Sequence, residues 1–201
     1  MQALIWMVLG YLAGSCPTGY LLVKLLRGED IRNFGSGNIG ATNVRRVMGQ
    51  KWAVVVSLSD MLKGGLMVLL ASFFTQDDSI LALVGVCSVL GHNFPVWLKF
   101  KGGKGVSTTF GVLAFYNFFN PLPALIAGAI WYFFMKLTNY VSAASIIALP
   151  CGAVLTYLFG MPTPYTAAAA FLAALSIWRH RSNIVRLMNG TESKVRPEKK
   201  K

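Results

Sequence analysis

Apolar residues fall in long runs along this chain, separated by short polar links. The runs at 3–23, 52–74, 79–98 and 141–159 each approach the roughly 20 residues a helix needs to cross a bilayer. A final run, 165–178, is shorter. Two further apolar segments, 106–119 and 122–135, are divided by Asn120-Pro121. Each covers only about 21 Å if helical, against a hydrocarbon core of about 30 Å. They form either two short or tilted spans or one re-entrant hairpin, and both return the chain to the side it left. The pattern predicts an all-α integral membrane protein with about seven transmembrane helices, in a single polytopic domain over 1–190. A basic tail follows over 191–201, and its Lys199-Lys200-Lys201 end is expected to be solvated, with weak attraction to anionic lipid.

Several residues interrupt the runs. Pro17, in Ser15-Cys16-Pro17-Thr18-Gly19, removes a backbone hydrogen bond and should kink the first helix. Asp60 and Lys63 lie three apart inside the second run, on one helical face. Ionisable groups at that depth pair with one another or face a polar cavity, so they form a structural ion pair or touch a substrate. Cys16, Cys87 and Cys151 all sit in apolar runs without C-x-x-C spacing, which suits small packed residues, with no disulfide framework and no metal site. No basic region precedes the first run and no A-x-A-like site follows it, so it reads as a retained helix.

Charge then fixes an orientation. The net charge is +12, yet only 13% of the 201 residues are charged, where a soluble domain carries roughly a quarter. With seven crossings, every Lys and Arg except Lys63 falls on one side, and the opposite loops hold only Asp77 and Asp78. That asymmetry places the N-terminus outside and the C-terminus in the cytoplasm. The lipid bilayer thus accounts for the positive charge, and no nucleic acid is called for.

Three polar clusters share the cytoplasmic side. The first runs from Gly35 to Arg46 and holds Gly35, Gly37 and Gly40 with Ser36, Asn38, Thr42, Asn43, Arg45 and Arg46. Glycines let backbone N–H groups approach a ligand, and the polar side chains add donors and fixed charge, the makings of an anion cradle. The second holds His92 and Lys101-Gly102-Gly103-Lys104-Gly105. It lacks the spacing of a nucleotide-binding loop, but Lys104 at the start of an apolar helix can sit beside a phosphate held by helix N-terminal amides. His92 is expected to be a hydrogen-bonded structural residue. The third is Arg179-His180-Arg181-Ser182-Asn183 with Arg186; the flanking arginines favour neutral His180, a ligand or base, and Asn183 shares its face. No nucleophile elbow or Ser/His/Asp set is present. The site binds anions and offers no evident protein nucleophile, which suits a substrate that arrives already activated.

Gly35-Ser36-Gly37-Asn38-Ile39-Gly40-Ala41-Thr42-Asn43, then Gly91-His92-Asn93-Phe94-Pro95 with Phe100-Lys101-Gly102-Gly103-Lys104-Gly105-Val106, then His180-Arg181-Ser182-Asn183-Ile184-Val185-Arg186-Leu187 resemble the three signature motifs of the bacterial acyl-phosphate:glycerol-3-phosphate acyltransferases. The likeness covers nearly the whole chain and takes in Ser15-x-Pro17 and Asp60-x-x-Lys63-Gly64. The resemblance implies an enzyme of the bacterial cytoplasmic (inner) membrane, with its active site on the cytoplasmic face. It would move an acyl group from acyl phosphate to the sn-1 hydroxyl of glycerol 3-phosphate, giving lysophosphatidic acid and phosphate, the first acylation of phospholipid synthesis. One phosphate would lie on Ser36, Arg45 and Lys104, within the cradle that includes Gly37, Gly40 and Asn43. The other would take donors from Gly102 and Gly103 and from the third motif with Arg186. Ser142 is implied as a polar contact. Asn38 and Thr42, or backbone amides, would stabilise an oxyanion; His180 and Asn183 would orient the glycerol hydroxyls, with His180 or the substrate's own phosphate as base. No cofactor is implied. The competing class is a small transporter or channel for phosphorylated anions, against which the absence of an internal repeat and the one-sided polar groups argue.

Overall fold

A computed structural model describes residues 2–116 and 120–195. Among these the chain is all helical. The first apolar run is not one kinked helix but two, α1 (Gln2–Ser15) and α2 (Thr18–Arg27). Pro17 takes φ −88° and ψ 72°, outside the helical region, because its ring removes an N–H and crowds the preceding residue out of the α conformation. The break frees the Cys16 carbonyl, which accepts a hydrogen bond from Lys63 Nζ at 2.8 Å.

A short 3-10 turn, Ile31–Asn33, leads through the glycine-rich loop into α3 (Ala41–Met48) and, across Gly49, into α4 (Gln50–Ser72). Asp77, in the polar link after α4, caps α5 (Asp78–Asn93) by accepting from the Ser79 and Ile80 amides; N-terminal N–H groups lack helical partners and a carboxylate supplies one. There follow α6 (Val106–Tyr116), α7 (Leu122–Thr138), α8 (Val141–Leu158), α9 (Thr163–Arg179) and the short α10 (Arg181–Met188). Pro150 lies within α8 without ending it. The end of the 106–119 segment and the lysines at 199–201 fall outside the described residues.

Four stretches are long and apolar enough to cross a membrane: Gln2–Arg27, Gln50–Ser72, Asp78–Leu98 and Val141–Leu158. Val106–Tyr116 and Leu122–Thr138 are shorter apolar helices. The hub is α5, which packs against α1, α4, α6 and α9. Small residues make that possible. A Cβ at Gly14 would overlap the Ser88 backbone, one at Gly91 the Tyr11 carbonyl, and one at Gly111 the Met61 carbonyl. Such close backbone approach is how apolar helices pack where lipid removes the hydrophobic driving force between them. Leu58, Leu62, Leu66, Leu70, Leu125 and Phe133 face outward, as a lipid-facing surface requires. A second core of Val23, Ile31, Ile39, Val44, Val56 and Leu98 seats α3 and the glycine-rich loop against α2 and α4.

Candidate active site

In the glycine-rich loop, Asn43 is the organiser. It is buried on α3, its Oδ1 accepts from the Ser36 amide at 3.0 Å, and its Nδ2 donates to the carbonyls of Phe34 at 2.9 Å and Ile31 at 3.3 Å. Gly35 has φ +57°, and a Cβ there would strike Asn43 Oδ1, so this glycine is needed for both backbone and space. Asn38 Oδ1 accepts from the Gly40 amide at 2.9 Å, shaping the turn into α3. Asn43 and the amides of Ser36 and Gly40 are therefore engaged within the loop. Ser36 and Gly37 lie exposed, Thr42 half-buried at the first turn of α3. Arg45 is half-buried and lines a cavity of about 480 Å³ with Gln50, Tyr132, Lys136, Asn139 and Val195.

The second motif is held from both sides. The Gly102 amide donates to the Asn93 carbonyl at 3.2 Å and the Gly103 amide to the His92 carbonyl at 3.1 Å. Arg179 donates to the carbonyls of Gly102 at 3.0 Å and Gly103 at 2.7 Å while its guanidinium lies over the Phe94 ring. The Gly102 and Gly103 amides are thus engaged in shaping the loop. The loop delivers Lys104, whose ammonium donates to Asn183 Oδ1. Burial, together with Arg186, Arg179 and Arg46, pulls the Lys104 pKa down to about 8, because a desolvated cation among like charges is disfavoured.

The third motif turns from α9 into α10. His180 is buried, and its Nδ1 lies 2.8 Å from the Ser176 carbonyl. That bond puts the ring proton on Nδ1 and the lone pair on Nε2. Burial and the Lys104 charge lower the His180 pKa to about 4, so the ring is neutral at physiological pH. Asn183 bridges: its Oδ1 faces Lys104 and its Nδ2 donates to Glu192 Oε1 at 2.7 Å. The same oxygen accepts from Ser142 at 3.0 Å, and Glu192 Oε2 accepts from Arg186 Nε at 2.7 Å. Burial opposes the Glu192 charge, but the bonds from Arg186, Asn183 and Ser142 outweigh it and hold the carboxyl below its usual range.

The first residues of the basic tail, 191–195, therefore cross the site. The Thr191 and Glu192 amides donate to the Arg186 carbonyl, and the Val195 amide donates to the Asn139 carbonyl at 2.8 Å. Lys104, Ser142, His180, Asn183 and Arg186 are brought together around Glu192, with Arg46 close enough to depress the Lys104 pKa. Ser36, Gly37, Asn38 and Thr42 remain on the glycine-rich loop at the flank. Sequence reasoning missed Glu192, and it placed Arg179 in the third cluster without giving it a role. The signal for Glu192 was an isolated acid three residues beyond Asn189 in a basic stretch; for Arg179 it was a cation ending an apolar helix. Among the described residues, no three His, Cys, Asp or Glu side chains gather as a metal site requires.

Residues 4–190 match the sequence model of the glycerol-3-phosphate acyltransferase family. The chain is 44% identical over 201 residues to a glycerol-3-phosphate acyltransferase of Thermus thermophilus, covering 97% of this chain and 96% of the relative. It is 45% identical over 186 residues to one from Myxococcus xanthus, covering 92% and 95%. Its fold superposes on the crystal structure of PlsY, an integral membrane glycerol 3-phosphate acyltransferase, in its glycerol 3-phosphate form, with a TM-score of 0.91 at 40% identity and 96% of each chain covered. The lysophosphatidic acid form of the same enzyme gives 0.89 at 38% identity, covering 96% and 95%. Motifs, fold and relatives agree, and this chain belongs to the glycerol-3-phosphate acyltransferase family.

Proposed function

We propose that this protein transfers a fatty acyl group from acyl phosphate to the sn-1 hydroxyl of glycerol 3-phosphate, releasing lysophosphatidic acid and inorganic phosphate. It does so in a bacterial inner membrane, crossing it seven times, with the N-terminus outside and the C-terminus and site on the cytoplasmic face. The observation that carries this reading is the Lys104 ammonium held by Asn183 beside Arg186 and neutral His180. Both substrates are phosphate anions, and a desolvated cation cluster is what binds them tightly. Relatives named as glycerol-3-phosphate acyltransferases, and a solved enzyme with glycerol 3-phosphate and lysophosphatidic acid forms, support the acceptor and product.

Transfer is direct. The sn-1 oxygen attacks the acyl carbonyl, the carbonyl–oxygen bond to phosphate breaks, and phosphate leaves carrying the electron pair. Lys104 and Arg45 neutralise the phosphates, Ser36 adds a hydroxyl, and Asn38 with Thr42 stabilises the oxyanion, each such donor contributing about 3 kcal/mol to the transition state. Asn183, Arg186 and Ser142 orient the acceptor. The hydroxyl proton passes to a substrate phosphate, whose second pKa of about 6 suits a base at neutral pH better than His180, held at about 4. His180 Nε2 then serves as a hydrogen-bond acceptor that orients the glycerol hydroxyls.

Purified protein given radiolabelled acyl phosphate and glycerol 3-phosphate should form lysophosphatidic acid without a hydroxylamine-sensitive acyl-protein. A trapped acyl-protein would overturn direct transfer. Uptake of glycerol 3-phosphate into proteoliposomes with no acyl transfer would instead identify a transporter.

A further inference from the structure

Asp60, Lys63 and His92 form a buried charged cluster with no part in the chemistry above. Lys63 Nζ lies 2.8 Å from Asp60 Oδ1, 2.8 Å from the Cys16 carbonyl and 3.0 Å from His92 Nδ1. All three donors of the ammonium are used. Asp60 also accepts from the Thr18 hydroxyl. Asp60 is only 3% exposed and His92 6%. Burying such groups is costly, and well-packed apolar residues in their place are often neutral or stabilising. Stability alone is therefore a weak reason for the cluster; what it specifies is position.

His92 shows what is positioned. Accepting from Lys63 at Nδ1 leaves the ring proton on Nε2, and that edge of the imidazole faces Gly103. A Cβ on Gly103 would overlap Nε2 and crowd Cε1 and Cδ2, yet the Gly103 backbone does not lie in the left-handed region. The glycine is there because the imidazole is, not because the chain demands its conformation. Behind that contact, the His92 carbonyl accepts from the Gly103 amide. The residue that follows is Lys104.

We propose that Asp60, Lys63 and His92 are positioning residues for the loop that carries Lys104: the pair fixes the imidazole, and the imidazole is the post on which Gly103 rests. Through Cys16 and Thr18, at the break between α1 and α2, the register of three helices is thereby read into the place of one ammonium. The inference rests on the reading of Lys104 as the substrate-binding cation.

The test is a mutant cycle on the full-length protein, reading kcat and KM for both substrates together with the thermal midpoint. Gly103→Ala should lower kcat/KM by about 100-fold, the scale of a 1 Å misplacement, with a rise in KM as the larger part, as expected when ground-state and transition-state binding are lost together. His92→Asn keeps an amide for Lys63 but removes Nε2 and Cε1, so in that background the added methyl finds room. Gly103→Ala should then cost no more than about threefold, a coupling that independent sites do not show. His92→Gln, which reaches back to the Nε2 position, should restore the penalty. Should His92→Asn not fold, Lys63→Met alone gives the reading: about a tenfold rise in KM with kcat held. Penalties that multiply independently, or an unchanged KM in Lys63→Met, would overturn the inference while leaving the proposed function intact. A wild-type protein without acyl transfer would overturn both.

Discussion

Replacing Glu192 by Gln removes one charge and hardly any volume from the centre of the site. The glutamine oxygen can still accept from Ser142 and Asn183, but its amide nitrogen meets Arg186 Nε as donor against donor. A hydrogen bond to a charged group contributes about 1.5–3 kcal/mol, and the Arg186 side chain is 40% exposed, so water recovers part of the loss and the low end applies. The two surviving bonds change from charged to neutral acceptor, roughly halving each. Taking the low end throughout, the expected cost is about 3 kcal/mol, seen as a fall in thermal midpoint in detergent. The discriminating readout is electrostatic. Glu192 raises the Lys104 pKa toward its usual value, so removing its charge must lower that pKa further below about 8. The basic limb of kcat/KM should therefore move to lower pH in Glu192→Gln, together with a loss of turnover. A variant with the wild-type midpoint and an unmoved limb would refute the placement of Glu192 beside Asn183 and Lys104.

Other expectations can be checked with the same assays. In the wild type, kcat/KM should reach a plateau between about pH 6 and about pH 8 and fall as pH rises through about 8, since a lowered lysine pKa means the cation is lost early on the alkaline side; a plateau extending to pH 10 would contradict that. The acidic limb should sit near pH 6, where a substrate phosphate protonates, and persist in His180→Ala; a limb near pH 4 that vanishes in that variant would make His180 the base. Lys104→Ala should abolish transfer while leaving the midpoint within a few degrees, and near-normal turnover would remove Lys104 from the site. Asn43→Ala should destabilise the glycine-rich loop by about 2 kcal/mol, because it strands one donor and two acceptors that the buried amide now satisfies; limited proteolysis of the loop reads the change.

The helical class and the approximate edges of the spans were legible because apolar runs of this length rarely arise outside membrane helices. The break at Pro17 was less so. A proline predicts a missing hydrogen bond, but whether the helix bends or separates depends on what the freed carbonyl meets, here Lys63 on another helix. The Asp60–Lys63 pair followed from spacing, and its extension to His92 required the fold. Within the site, residue type identified Lys104, His180, Asn183 and Arg186 as polar groups in apolar surroundings, the family resemblance added Ser142, and the structure gathers them. Composition could not say which glycine amides were free. Gly102 and Gly103 resemble a phosphate cradle in sequence, yet carbonyls of His92 and Asn93 claim their N–H groups, a long-range pairing without a local pattern. Glu192 was hidden for the complementary reason: in a basic tail an isolated carboxylate looks like solvated surface, and only folding shows it facing Arg186.

The central claim is that this cation cluster joins two phosphorylated substrates without a protein intermediate. The most direct measurement is inorganic phosphate released from acyl phosphate by the purified protein, with and without glycerol 3-phosphate. Release that depends on glycerol 3-phosphate, in one-to-one ratio with lysophosphatidic acid, is the result predicted. Release that proceeds equally without the acceptor, or none with both substrates present, would contradict it.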